Sequence, residues 1–204
     1  MKNLLAIVLL FPLAACSIGP APKDAASAYD LGAAPAAVQS QARIKSSLLV
    51  QPVGAPSWLD TYSIVYRLNY QDPARQLTYA NSRWAAPAAT LVTQRLRAQL
   101  ATVSDGGVLS LADSARADYA LRIDLEQFDQ VFDSADASRG VIVARASIVN
   151  LARRSLTAQK TFTIEKPATS ANAEGGVRAL AAGSNELIDA IVAWTAASLA
   201  QDKK

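Results

Sequence analysis

The chain has 204 residues, no histidine, a single cysteine, and 20 basic against 17 acidic side chains, for a formal charge of +3 at pH 7. Without histidine there is no Ser-His-Asp or Cys-His nucleophile and the commonest ligand of zinc and copper is missing; a small charge with no basic run offers nucleic acid nothing to bind. With 51% hydrophobic and 18% charged residues, the chain is apolar for a soluble protein and long enough for one well-filled core.

The amino terminus opens on Met1-Lys2-Asn3 and runs through uncharged residues from Leu4 to Ala15 before reaching Cys16. One positive charge followed by such a run has the form of an export signal, residues 1–15, and is too short to span a bilayer, which takes about 20 residues. Leu13-Ala14-Ala15-Cys16 resembles a bacterial lipobox, whose cysteine is acylated after cleavage. The resemblance makes Cys16 the lipid-attachment residue, and several acyl chains at about 0.8 kcal/mol per buried methylene hold essentially permanently. Ser17 in place of Asp after the cysteine is similar to the sorting pattern of enterobacterial lipoproteins sent to the outer membrane. That implies an outer-membrane anchor with the domain facing the periplasm. An acylated Cys16 leaves no thiol for a disulfide, so the domain must stand on packing alone.

Residues 16–40 are rich in Ala, Pro, Gly and Ser and read as a flexible tether, able to reach many tens of ångströms if extended. Within it, Tyr29-Asp30-Leu31-Gly32 is the segment expected to dock as a first short strand. A single domain is expected over residues 41–204. Ile44 to Val50 is apolar enough for a buried strand, ended by Pro52 and Pro56. Ser63 to Leu68 and Gln76 to Ala80 predict a hairpin across Asp72-Pro73. Ala88, Leu91, Val92, Leu96 and Leu100 recur at helical spacing behind Pro87, predicting a helix from about Pro87 to Thr102 that Asp105-Gly106-Gly107 closes.

The second half reads as a meander. Leu121, Ile123 and Leu125 alternate with Arg122, Asp124 and Glu126, and further strands are expected around Val141 to Leu151 and at Thr161 to Ile164. Short turns at Asp136 to Gly140 and around Arg153-Arg154-Ser155 make these strands antiparallel. A final helix from about Asn172 to Gln201 carries a stripe from Val177 through Leu187 and Ile191 to Leu199. The fold class is therefore α+β: a largely antiparallel or mixed sheet with two main helices on one face.

Little chemistry remains. Asp124 and Glu126 share a strand face with Arg122, and Asp129, Asp133 and Asp136 follow in what reads as a loop. Acid-base catalysis needs one carboxyl of raised pKa beside an ionised one in an apolar cleft, whereas this pattern reads as a solvated strand face. The loop acids lack EF-hand spacing, no Ser-x-x-Lys occurs, and no glycine-rich loop follows a strand. The expectation is a chain that is not an enzyme and takes no catalytic residues, cofactor or metal. Tyr62, Tyr66, Tyr70, Tyr79 and Trp84, with Trp58 just before them, are dense enough to line an interface, of which Tyr66, Tyr79 and Trp84 are the candidate residues. Core packing of a hairpin accounts for them equally well. Trp194 lies off the main stripe of the last helix and points to a partner surface there.

Taken in order, Tyr29-Asp30-Leu31-Gly32, Val50-Gln51-Pro52-Val53, Trp58-Leu59-Asp60, Ile64-Val65-Tyr66-Arg67, Leu77 with Tyr79, Arg83-Trp84-Ala85-Ala86-Pro87 and Arg122 to Phe128 resemble the ABC-type transport auxiliary lipoproteins, the PqiC-like family, from about Ala28 to Leu199. The resemblance implies a non-enzymatic, periplasm-facing subunit of an envelope system that moves lipids or other hydrophobic molecules between membranes. It further implies partners, namely an MCE-domain protein and an inner-membrane permease and ATPase, and assembly as a homo-oligomer. The alternative is an outer-membrane lipoprotein that assembles or pilots a pore or secretion complex.

Overall fold

The computed structural model describes residues 26–34 and 43–202; Cys16, the signal-like segment and most of the tether lie outside the described residues. The sheet is organised around one long strand. β6 (Tyr119–Phe132) pairs antiparallel along its whole length with β7 (Ser138–Asn150), which pairs antiparallel with β8 (Ser155–Pro167). Short turns between long, period-two strands account for that meander.

The other edge of β6 is shared by two shorter strands. β2 (Leu48–Val50) runs parallel to its first residues, with Leu48 opposite Tyr119, and β3 (Ser63–Leu68) runs parallel to its last, with Tyr66 opposite Gln130. Between them Gly54 forms an isolated bridge to Asp124. β3 continues into its hairpin partner β4 (Leu77–Trp84), β1 (Ser27–Tyr29) adds parallel to β4, and β5 (Val108–Leu109) adds parallel to β2. The sheet is thus mixed: antiparallel where neighbours are adjacent in sequence, parallel where they are distant.

Helix α1 (Ala88–Val103) starts directly after Pro87, whose fixed φ suits the position, and buries Ala88, Val92, Leu96 and Leu100. Helix α2 (Ala173–Asp202) lies across β6, β7 and β8 and also touches α1, so both helices share one face. Gly140 lets the α2 backbone come close, since a Cβ there would lie 2.9 Å from the Leu180 nitrogen. Among the described residues no helix covers the opposite face.

The hairpin, both helices and the meander are where the periodicity places them. Two differences have physical causes. β5 is two residues long, too short to leave a pattern. The expected strand at Ile44 is reduced to a bridge from Ile44 to Ser104, and regular pairing starts only at Leu48. The docking expected of Tyr29 to Gly32 occurs at its start: β1 adds to the edge of β4, Leu31 is buried, and Arg95 of α1 donates to the Leu31 carbonyl at 2.9 Å.

Candidate functional site

The carboxylates singled out from the sequence separate onto different surroundings. On the open face Arg145 lies 3.8 Å from Asp124 and 3.6 Å from Glu126, and Arg122 lies 3.2 Å from Asp124. Each acid is matched by an exposed guanidinium, which is the arrangement of a solvated strand face. Asp133 and Asp136 are exposed in the β6–β7 turn, where Asp133 accepts from Arg139. Among the described residues no three acidic, histidine or cysteine side chains are grouped to hold a metal ion.

Asp129 corrects the loop reading. It lies inside β6 at 0% exposure and accepts from Arg67 Nε at 2.6 Å and from Gln127 Nε2 at 2.8 Å. A register shift between Leu125 and Gln127 puts an extra residue, Glu126, into the strand. After this bulge the alternation changes phase, so Phe128 turns into the core and Asp129 turns to the open face. There Arg67, opposite Val131 on β3, supplies the counter-charge that a buried carboxylate requires.

Around this pair the open face is hollowed into a cleft of about 410 Å³, with Val131 and Val141 among its lining residues beside Arg67, Gln127, Arg139 and Trp58. Trp58 comes from the loop that replaces the missing strand between β2 and β3, and the Arg67 guanidinium sits 5.9 Å from its ring centre. Arg67 also donates to the Pro73 carbonyl, so one side chain ties β6, the Trp58 loop and the hairpin turn together. The sequence-visible signal was a lone arginine inside the apolar run Ser63 to Leu68.

The candidate interface residues do not form one surface. Tyr66 and Tyr79 meet, with ring centres 4.6 Å apart, and Tyr66 also stacks edge-on against Phe132 at 5.8 Å. Both are half-buried on the helix side of the hairpin. Tyr79 Oη donates to Gln130 Oε1, and Gln130 Nε2 donates to Ser138 Oγ, each at 2.8 Å. Burial, with Tyr66 adding to it, pushes the Tyr79 phenol up to about 12. Gly176 of α2 sits where any Cβ would collide with the Gln130 amide, which brings the helix start onto this cluster. Trp84 is 1% exposed and packs edge-on against Phe128 at 5.7 Å; it is a core residue and offers a partner no surface. Trp194 likewise packs against Phe162, at 5.9 Å, which accounts for its place off the main stripe.

The site thus combines a two-layer α+β scaffold with paired charges, an aromatic hairpin face and a polar cleft. The family model described as ABC-type transport auxiliary lipoprotein component matches residues 29–192, and the chain belongs to that family. A Xanthomonas campestris protein shares the fold with a TM-score of 0.70 at 20% identity, covering 87% of this chain and 95% of its own. A protein described as uncharacterized gives 0.65 at 19% identity, covering 84% and 99%, and a hypothetical protein of Chlamydia trachomatis gives 0.51 at 9%, covering 76% and 98%. Identities this low speak for the fold alone. No curated protein matches the chain.

Proposed function

We propose that the protein is a non-enzymatic, periplasm-facing subunit of an ABC/MCE-type envelope system that moves lipids or other hydrophobic molecules between membranes. The family match across residues 29–192 carries this reading, and the neutralised carboxylates on the open face are in keeping with it. In this reading Cys16 is acylated, residues 1–15 are removed, and the chain is anchored in the outer membrane. An MCE-domain protein with its inner-membrane permease and ATPase are the partners. The half-buried pair Tyr66 and Tyr79 offers a lateral surface for a neighbouring subunit of a homo-oligomer or of the partner, and Trp84, buried against Phe128, is not part of it.

Two experiments test it. A pull-down with the acylated full chain should retrieve the MCE-domain protein encoded beside it; a folded, membrane-bound chain that retrieves none refutes the reading. Cys16→Ser should release a folded domain from membranes, because no described part of the fold uses that thiol. Persistence of the variant in the membrane pellet after a high-salt wash would show that the anchor lies elsewhere.

A further inference from the structure

The β7–β8 turn carries exposed leucines on both of its flanks. Turns are ordinarily polar, yet this one is flanked by Leu151 at 37% and Leu156 at 57% exposure, with half-buried Val149 opposite Leu156. Between the leucines stand Arg153 and Arg154. The Arg153 side chain is 66% exposed and reaches only Asp202, at 3.5 Å, while Arg154 has no ion pair among the described residues. Asp202 also accepts from Tyr119 Oη at 2.6 Å, so this one carboxylate faces the two arginines of the tip. Arg154 also holds φ +53°, a left-handed conformation that glycine or asparagine adopts with less strain, and non-glycine residues kept there often mark functional turns.

The course of the chain gives this tip a direction. β1 runs parallel to β4, β4 antiparallel to β3, and β3 parallel to β6. Residue 27 therefore enters the domain from the end of β6 that carries the β6–β7 turn. Its partner Ser82 lies level with the Phe128 region of β6, roughly 30 Å along the strand from Tyr119, at about 3.3 Å per residue. Tyr119 pairs with Asn150 at the base of the tip. The tip thus points away from the end of the sheet at which Ser27 begins β1, and away from the Tyr66–Tyr79 pair.

We propose that Leu151, Arg153, Arg154 and Leu156 form a docking tip that inserts into an apolar socket rimmed by carboxylates on the transport partner. The inference rests on the reading under Proposed function and names the surface and the partner chemistry. Two leucines supply the desolvated centre of such a contact and two arginines its charged rim, the division found in protein interfaces. Its direction favours a protein over the anchoring bilayer.

The test uses the acylated full chain in detergent and the purified MCE-domain protein of the same system as probe. Leu151→Ser with Leu156→Ser, and separately Arg153→Glu with Arg154→Glu, should each weaken binding by about tenfold or more. The charge reversal should also remove the loss of affinity that the unmodified chain shows on adding salt. Arg154→Gly removes a charge while relieving the left-handed backbone. It should bind more weakly with an unchanged or raised thermal midpoint, which separates docking from folding. Binding by all three variants within about twofold of the unmodified chain overturns the tip and leaves the transport reading standing. Failure of the unmodified chain to bind the probe overturns both. Sedimentation with phosphatidylglycerol vesicles that the tip variants abolish, with probe binding intact, would make the tip a lipid contact and overturn the protein socket.

Discussion

The two sides of β6 are built on different principles. On one side β6, β7 and β8, of 14, 13 and 13 residues, pair with sequence neighbours under α2. On the other, β2 and β3 reach the same strand from a distance, in parallel and with a loop between them. The first side is continuous and the middle of its helix face is apolar: Ile142, Ala144, Ala146 and Ile148 are all fully buried. The second holds the Arg67–Asp129 pair, the Trp58 loop, the cleft and the Tyr79–Gln130 bond. Adjacent antiparallel strands satisfy their own backbones, so the meander can be plain. Where parallel pairing is interrupted, side chains must take over, and polar groups become buried.

The largest effect is expected where both sides meet. Phe128→Ala removes the ring against Trp84 from a fully buried site and should cost about 3–5 kcal/mol, read as a fall in the urea midpoint. A cost below about 1 kcal/mol would mean that the two sides do not share a core. Next, Arg67→Ala leaves Asp129 buried without its counter-charge and should cost about 3 kcal/mol, whereas Arg67→Met with Asp129→Leu should recover most of that loss. If the double variant is no more stable than the single one, the pair is more than a local neutralisation. Tyr79→Phe should cost about 1–2 kcal/mol by stripping a donor from buried Gln130. Ser147→Ala, which breaks the 2.8 Å bond from Gln159 on the meander, should cost less because Gln159 is exposed and turns to water. Equal costs would remove the distinction between the sides.

The same contrast governs how much could be read in advance. Period-two and period-3.6 patterns place the meander, the hairpin and both helices, because those elements bury one face each against neighbours close in sequence. Asp129 was hidden by the bulge at Glu126: one inserted residue changes the phase of the alternation, and a strand continuing out of phase looks like a loop. The parallel pairings of β1, β2 and β5 leave no signal beyond short apolar runs. Aromatic density marked the hairpin correctly, but density alone does not tell Trp84, buried against Phe128, from Tyr66 and Tyr79, which retain an exposed edge. The cleft requires Arg67, Arg139 and Trp58 from three separate segments, a juxtaposition that only the fold creates.

The smallest expected effect compares one carboxylate on each side. Asp202, at the end of α2 over the meander, is held below the usual carboxylate range chiefly by the Tyr119 hydroxyl, with Asn150 and Arg153 assisting. Asp105, just past α1 on the other side, is held down chiefly by the Arg43 side chain, which donates to it at 2.5 Å and to the Thr102 carbonyl at 2.9 Å. A carboxylate whose folded pKa is depressed binds a proton more readily when unfolded, so each contribution is present above the ordinary carboxylate pKa of about 4 and is lost as pH falls through the lower folded value. Asp202→Asn and Asp105→Asn should therefore lower the thermal midpoint slightly at neutral pH and match the unmodified chain in strong acid. Salt should erase the Asp105 difference, a solvent-exposed ion pair, more completely than the Asp202 difference, whose main partner is a neutral hydroxyl. Equal salt sensitivity of the two variants would show that Asp202 is held by Arg153 rather than by Tyr119, and that the seal between α2 and the start of β6 is ionic.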